Sequence, residues 1–103
     1  MDAFVVVAEP TRRRILDRLR RSELSVGDLV ADLDLSQPTV SKHLRVLRDA
    51  GFVSVDAVAQ RRIYRIEAEP LRELDGWIDP YRQLWARHLD ALEQHLDRRK
   101  EQR

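Results

Sequence analysis

The chain has 103 residues, of which 43% are hydrophobic, 36% charged and 6% aromatic, with a formal net charge of +1 and no cysteine. That length suits one domain rather than two, with a core built mainly from Leu, Val and Ile. Without cysteine there is no disulfide, thiolate metal site or thiol redox switch, and no apolar run approaches the roughly 20 residues of a membrane span. Phe4-Val5-Val6-Val7-Ala8 is too short for a secretory signal, so the expected compartment is the cytoplasm. The charge is unevenly spread: residues 1–66 hold 12 Lys and Arg against 9 Asp and Glu, and residues 67–103 hold 7 against 9. A polyanion would therefore be gripped by the front of the chain. So much charge leaves a thin monomeric core, which favours oligomerisation.

A short first helix is expected over residues 2–8, with Phe4 and Val7 on one face. Pro10 opens a second helix ending near Arg21, since Pro is tolerated in a first turn. Ile15, Leu16 and Leu19 share its inner face. Arg13, Arg14, Arg20 and Arg21 read as a solvated face supported by pairs such as Arg13–Asp17. Ser25 caps a third helix whose apolar face is Val26, Leu29, Val30 and Leu33, with Asp28 placed for a capping box. After Asp34-Leu35, Ser36 caps a fourth helix that buries Val40, Leu44 and Leu47 and stops at Gly51. The two form a helix-turn-helix unit.

Beyond Gly51 the pattern alternates. Residues 52–55 and Arg61–Ile66 read as two strands, with Ile63 on one face and Arg62 and Tyr64 on the other. Residues 56–60 between them contain no Gly, Pro or Asn to specify the turn. A hairpin directly behind a helix-turn-helix is a wing. From Pro70 to about residue 99 the chain reads as helix, with Leu71, Leu74, Ile78, Tyr81, Trp85, Leu89, Leu92 and Leu96 in one stripe. Asp79-Pro80 predicts a kink near residue 79, with Asp79 capping the second part. The stripe exceeds what a small helical core can cover and calls for a second copy of itself.

The fourth helix carries short polar groups where a surface helix usually carries salt-bridging charges. A helix entering the major groove needs such groups in its N-terminal half. Gln37 suits the edge of adenine and Lys42 that of guanine. Thr39 and Ser41 suit bases or phosphates, and Ser36 suits a phosphate at the helix N-terminus. Arg45, a turn beyond Lys42, suits a phosphate, and Arg61 and Arg62 at the wing base suit a flanking phosphate or the minor groove. Ser36 is equally readable as a plain cap, His43 as a packing residue, and Arg48 as a partner for nearby carboxylates.

Glu9-Pro10-Thr11-Arg12, Glu23-Leu24-Ser25-Val26-Gly27-Asp28-Leu29 and the run from Leu35 through Leu47 closely resemble the ArsR family of bacterial transcriptional repressors. Gly51-Phe52-Val53 and Arg61-Arg62-Ile63-Tyr64 continue the match into the wing, and the resemblance covers residues 8–67. It implies a mainly α, winged helix-turn-helix fold with a small β-hairpin, in the order α-α-α-α-β-β-α. One domain over 1–103 is expected, with a DNA-binding core at 9–67 and dimerisation helices at 1–8 and 70–99. It further implies a homodimer that binds a partly palindromic operator and blocks transcription, with Phe4, Val7, Ile78, Tyr81, Trp85, Leu89 and Leu92 at the dimer contact. Many members release DNA on binding metal through a Cys-x-Cys whose positions here are Ser25 and Gly27, so that site is absent. A second family site on the last helix uses Asp, His and Glu; His88 and His95 lie on one face but do not reproduce its spacing. The tail looks like that of metal-independent members, so neither metal nor cofactor is expected. The alternatives are a repressor sensing a ligand or metal through the last helix, or a winged helix used as a protein-interaction module. An enzyme is disfavoured, with no nucleophile–base pair and no Gly-rich phosphate loop.

Overall fold

The computed structural model describes residues 2–101, so Met1, Gln102 and Arg103 of the expected span lie outside the described residues. The chain separates into two compact units, residues 1–73 and 74–103. The first contains α1 (Ala3–Ala8), α2 (Pro10–Leu19), β1 (Leu24–Ser25), α3 (Val26–Leu33), α4 (Gln37–Asp49), β2 (Val53–Val58) and β3 (Arg61–Ile66), and α5 (Glu69–Glu101) begins in it.

The inner faces expected of the helices are the ones buried. Ile15, Leu16 and Leu19 of α2, Leu29 and Leu33 of α3, and Val40, Leu44 and Leu47 of α4 form the core with Val6, Phe52 and Val53. Each large side chain fully withdrawn from water contributes about 1.5–3 kcal/mol, so this cluster holds the helix-turn-helix together. The caps fix where the helices begin. Ser25 Oγ accepts from the Asp28 backbone N–H (3.1 Å) while Asp28 Oδ2 accepts from that of Ser25 (3.0 Å), a complete capping box. Ser36 Oγ accepts from the Thr39 N–H at 3.3 Å. At the far end of α4, Gly51 adopts φ 81°, and the N–H groups of Phe52 and Gly51 return to the carbonyls of Leu47 (2.8 Å) and Arg48 (3.0 Å). That paired arrangement closes a helix with a left-handed residue, which glycine adopts without steric cost.

The arginine run of α2 behaves differently from the expected solvated face. No Arg13–Asp17 pair forms among the described residues. Instead Arg12 Nε donates to the Val6 carbonyl (2.7 Å), Arg13 Nη1 to that of Val7 (2.7 Å), and Arg14 Nη2 to that of Leu33 (3.0 Å). The last carbonyls of a helix have no partner within it, so three consecutive arginines satisfy the C-terminal ends of α1 and α3. Arg48, expected to pair with a carboxylate, forms no ion pair among the described residues.

The sheet is larger than the expected hairpin. It has three antiparallel strands in the order β1-β3-β2, with Leu24 opposite Tyr64, and Tyr64 opposite Val55. β1 adds an element between α2 and α3 to the expected order. A helix N-cap must be extended, and Ser25, at φ −83° and ψ 168°, uses that conformation to pair with Ile63. Tyr64 is the buried residue of β3 and Ile63 only half-buried. In the central strand the larger aromatic surface takes the covered face. The hairpin closes tightly, with Val58 opposite Arg61, so only Ala59 and Gln60 connect the strands. Ala59 takes φ 57°. Arg61 and Arg62 therefore sit beside the wing tip rather than at its base.

In the second unit α5 continues as one unbroken helix through Pro80. Asp79 therefore lies inside the helix and caps no new one. Pro80 cannot donate to the carbonyl four residues back, and a side-chain clasp spans the gap. Arg82 reaches Asp75 Oδ1 through Nη1 (2.7 Å), and Asp79 Oδ1 (3.1 Å) and the Asp75 carbonyl (3.4 Å) through Nη2. Hydrogen bonds to Asp75 and then Asp79 raise the Arg82 pKa above its ordinary value.

Candidate nucleic-acid interface

Burial of Val40, Leu44 and Leu47 fixes the roll of α4, and the opposite face is thereby turned outward. Ser36, Gln37, Ser41, Lys42 and Arg45 are exposed and Thr39 is half-buried. Ser36 also donates its hydroxyl to Thr39 Oγ1 at 2.8 Å, so both hydroxyls are engaged at the helix start. Lys42 and Arg45 form no ion pair among the described residues, which leaves their charge available to an anion.

The wing divides its charges between structure and solvent. Arg61 Nη2 donates to Ser25 Oγ (2.8 Å) and lies 3.2 Å from Asp28 Oδ2. It thus ties the wing to the capping box of α3. Arg62 is exposed and forms no ion pair among the described residues. Between them and the first turn of α3 runs a shallow cleft lined by Ser25, Val26, Gly27 and Asp28. The carboxyl of Asp28 is held below its ordinary pKa by the Ser25 backbone N–H, then by the Ser25 hydroxyl and the Arg61 charge, against a smaller opposing effect of burial. On β3, Arg65 pairs with Asp56 and with Glu67 (3.4 Å). Sequence spacing placed Arg61 with Arg62; only the fold shows that one is already occupied.

His43 packs inward, with its side chain 13% exposed, and its Nδ1 lies 3.8 Å from Glu9 Oε2. That contact was not visible in the sequence, where the two residues share no local pattern.

The second unit presents a different surface. Trp77, Ile78, Tyr81, Leu84, Trp85, Leu89, Leu92 and Leu96 are all exposed, Trp85 to 66%. Seven of them fall within one broad stripe at about 100° per residue, with Leu84 at its edge. The Trp77 and Tyr81 rings are in contact, their centroids 5.0 Å apart. In α1, Phe4 is exposed and Val7 half-buried. His88 and His95 are exposed, and among the described residues no group of three His, Asp or Glu side chains could hold a metal ion. No helix of the described residues is long and apolar enough to cross a membrane.

The comparisons with known proteins agree with this geometry. The family model for bacterial regulatory proteins of the arsR family matches residues 9–55. The chain is similar to the HTH-type transcriptional regulator Rv2034 of Mycobacterium tuberculosis, at 37% identity over 95 residues, covering 92% of this chain and 86% of that one. It is similar to the transcriptional repressor SdpR of Bacillus subtilis, at 30% identity over 77 residues, covering 75% and 86%. Among solved structures it resembles a possible transcriptional regulator for arsenical resistance, with a TM-score of 0.71 and 37% identity over 79% of this chain and 84% of that one. The chain belongs to the ArsR family of bacterial transcriptional regulators, with the winged helix-turn-helix fold.

Proposed function

We propose that this ArsR-family regulator is a cytoplasmic homodimeric repressor that reads a partly palindromic operator with α4 and grips its backbone with the wing. The observation that carries the reading is the outward face of α4, where Gln37, Ser41, Lys42 and Arg45 are exposed on a helix anchored by three buried residues. Gln37 and Lys42 read base edges in the major groove. Thr39 and Ser41 contact bases or phosphates, and Ser36 and Arg45 contact phosphates. Arg62 holds the flanking backbone. Arg61 aims the wing through Ser25 and Asp28. Dimerisation buries Ile78, Tyr81, Trp85, Leu89 and Leu92 of α5 against a second copy, with Phe4 and Val7 of α1 contributing. It acts by binding DNA, as a transcription regulator does, and needs no metal: the chain has no thiolate, and His88 and His95 have no carboxylates at a ligating spacing.

Mobility shift on the DNA upstream of its own coding sequence, with and without zinc, tests this reading. Retardation of that DNA but not of a scrambled duplex, unchanged by zinc, is the expected result. Release by submicromolar zinc, abolished by His88→Ala with His95→Ala, would favour sensing through α5.

A further inference from the structure

From three consecutive residues, α2 reaches two other helices. Successive positions on a helix point about 100° apart, and here Arg12 and Arg13 turn to α1 while Arg14 turns to α3. Arg12 donates to the Val6 (2.7 Å) and Val5 (3.3 Å) carbonyls, and Arg13 to those of Val7 (2.7 Å) and Ala8 (3.3 Å). These contacts fasten the first turn of α2 to α1. Arg14 Nη2 donates to the Leu33 carbonyl at 3.0 Å, across 19 residues of sequence. Leu33 is the last residue of α3, where a carbonyl has no partner within the helix. Beyond it only Asp34 and Leu35 precede Ser36, the cap of α4. Asp34 is left-handed, at φ 53° and ψ 48°, and its N–H and that of Leu35 both return to the Val30 carbonyl. A residue with a Cβ keeps that conformation where its surroundings fix it.

We infer that Arg14 is a positioning residue for operator recognition: its bond to the Leu33 carbonyl fixes the turn between α3 and α4, and so the angle at which α4 presents Gln37 and Lys42. The inference rests on the reading of α4 as the recognition helix. Val40, Leu44 and Leu47 set the roll of α4 by burial, but apolar contact is non-directional. A hydrogen bond is directional, and this one acts three residues before the α4 cap, where a small shift carries the whole helix with it. It is also made from a fixed base, because Arg12 and Arg13 hold the same turn of α2 to α1. Charge alone does not supply this role. Arg18 lines the same recess as Arg14, Asp17, Arg21 and Leu33, yet its guanidinium forms no hydrogen bond or ion pair among the described residues. A bond that only stabilised α3 would change unfolding without changing which DNA is chosen.

The test compares Arg14→Met and Arg18→Met with wild type. Both substitutions remove one charge from α2 and keep a long unbranched stem with good helix propensity, but only the first removes the bond. Arg14 is exposed, so its replacement opens no cavity in the core. Affinities for operator and scrambled duplexes are read by fluorescence anisotropy at several salt concentrations, below the melting temperature of every variant. Arg14→Met is expected to bind operator roughly three- to tenfold more weakly than Arg18→Met, the span of one net hydrogen bond. The two should match on the scrambled duplex and in salt slope. Hydrogen exchange of the free protein gives a second readout: the Asp34 and Leu35 amides should exchange faster in Arg14→Met alone. Equal operator affinity in the two variants, or unchanged exchange at those amides, would overturn the inference. So would a loss shared by the scrambled duplex with a shallower salt slope, since Arg14 would then hold phosphate directly. If wild type shows no preference for operator, the recognition reading fails; the exchange rates still decide whether Arg14 fixes the turn.

Discussion

Arg61 and Arg62 are adjacent in sequence, yet their replacement is expected to give different salt dependences. Arg62 is exposed and forms no ion pair among the described residues, whereas Arg61 is held by Ser25 at 2.8 Å and by Asp28 at 3.2 Å. Each phosphate neutralised contributes about 0.9 to the slope of log affinity against log salt. Losing one contact per subunit of a dimer makes the slope shallower by about 1.8, or roughly tenfold in affinity between about 50 and 200 mM salt. Arg62→Ala should therefore weaken operator and scrambled DNA almost equally and make the salt dependence shallower by about that amount. Arg61→Ala should weaken operator binding while keeping the wild-type slope, because what it loses is the tie that aims the wing. Asp28→Asn should behave like Arg61→Ala. Anisotropy isotherms at four salt concentrations on both duplexes make the comparison. A slope reduced equally in Arg61→Ala and Arg62→Ala would show that Arg61 leaves Asp28 for phosphate, and the division of roles would be wrong.

Three further outcomes are expected. Trp85→Ala removes the most exposed large apolar side chain of the α5 stripe. It should cost the dimer about 2 kcal/mol or more, as central aromatic contacts do, with DNA binding falling in parallel; sedimentation showing wild type as a folded monomer at micromolar concentration would remove the basis for it. Ala59→Gly relieves a left-handed alanine at φ 57°, which costs about 1–2 kcal/mol in a residue with a Cβ. The melting temperature should rise by several degrees, and a fall would contradict the turn geometry. Asp28 has a folded pKa below its ordinary value, so its contribution to stability is present above the ordinary carboxylate range and disappears as pH falls through the depressed value. Asp28→Asn should therefore be less stable than wild type near neutrality, with the two converging in acid. Parallel curves over that range would show that the capping box and Arg61 do not act through this charge.

What the sequence shows depends on whether the cause is local. The buried faces of α2, α3 and α4, the Ser25 and Ser36 caps, the Gly51 stop and the limits of β3 follow from periodicity and cap chemistry, which are properties of neighbouring residues. β1 is too short to have a period, and it forms because β3 offers an edge to the extended cap of α3. The wing turn carries no turn residue to mark it, and only the pairing of Val58 with Arg61 shows that Ala59 takes an uncommon conformation. Asp79 reads as the cap of a new helix beyond the proline, but it lies within α5 and pairs with Arg82 instead. The same distinction governs the candidate interface. Exposure of Gln37, Lys42 and Arg45 follows from the helical period once the buried face is known. The engagement of Arg61 by Ser25 and Asp28 and of Arg14 by Leu33, and the approach of His43 to Glu9, depend on elements brought together by folding.

The central claim is that α4 reads sequence, and the specificity ratio tests it most directly. Affinities of wild type, Gln37→Ala and Lys42→Ala should be measured for operator and scrambled duplexes at one salt concentration. Each substitution is expected to cost about 1–3 kcal/mol on the operator and much less on the scrambled duplex, narrowing the ratio. Ratios that stay at the wild-type value in both variants would show that the exposed face of α4 is not the reader.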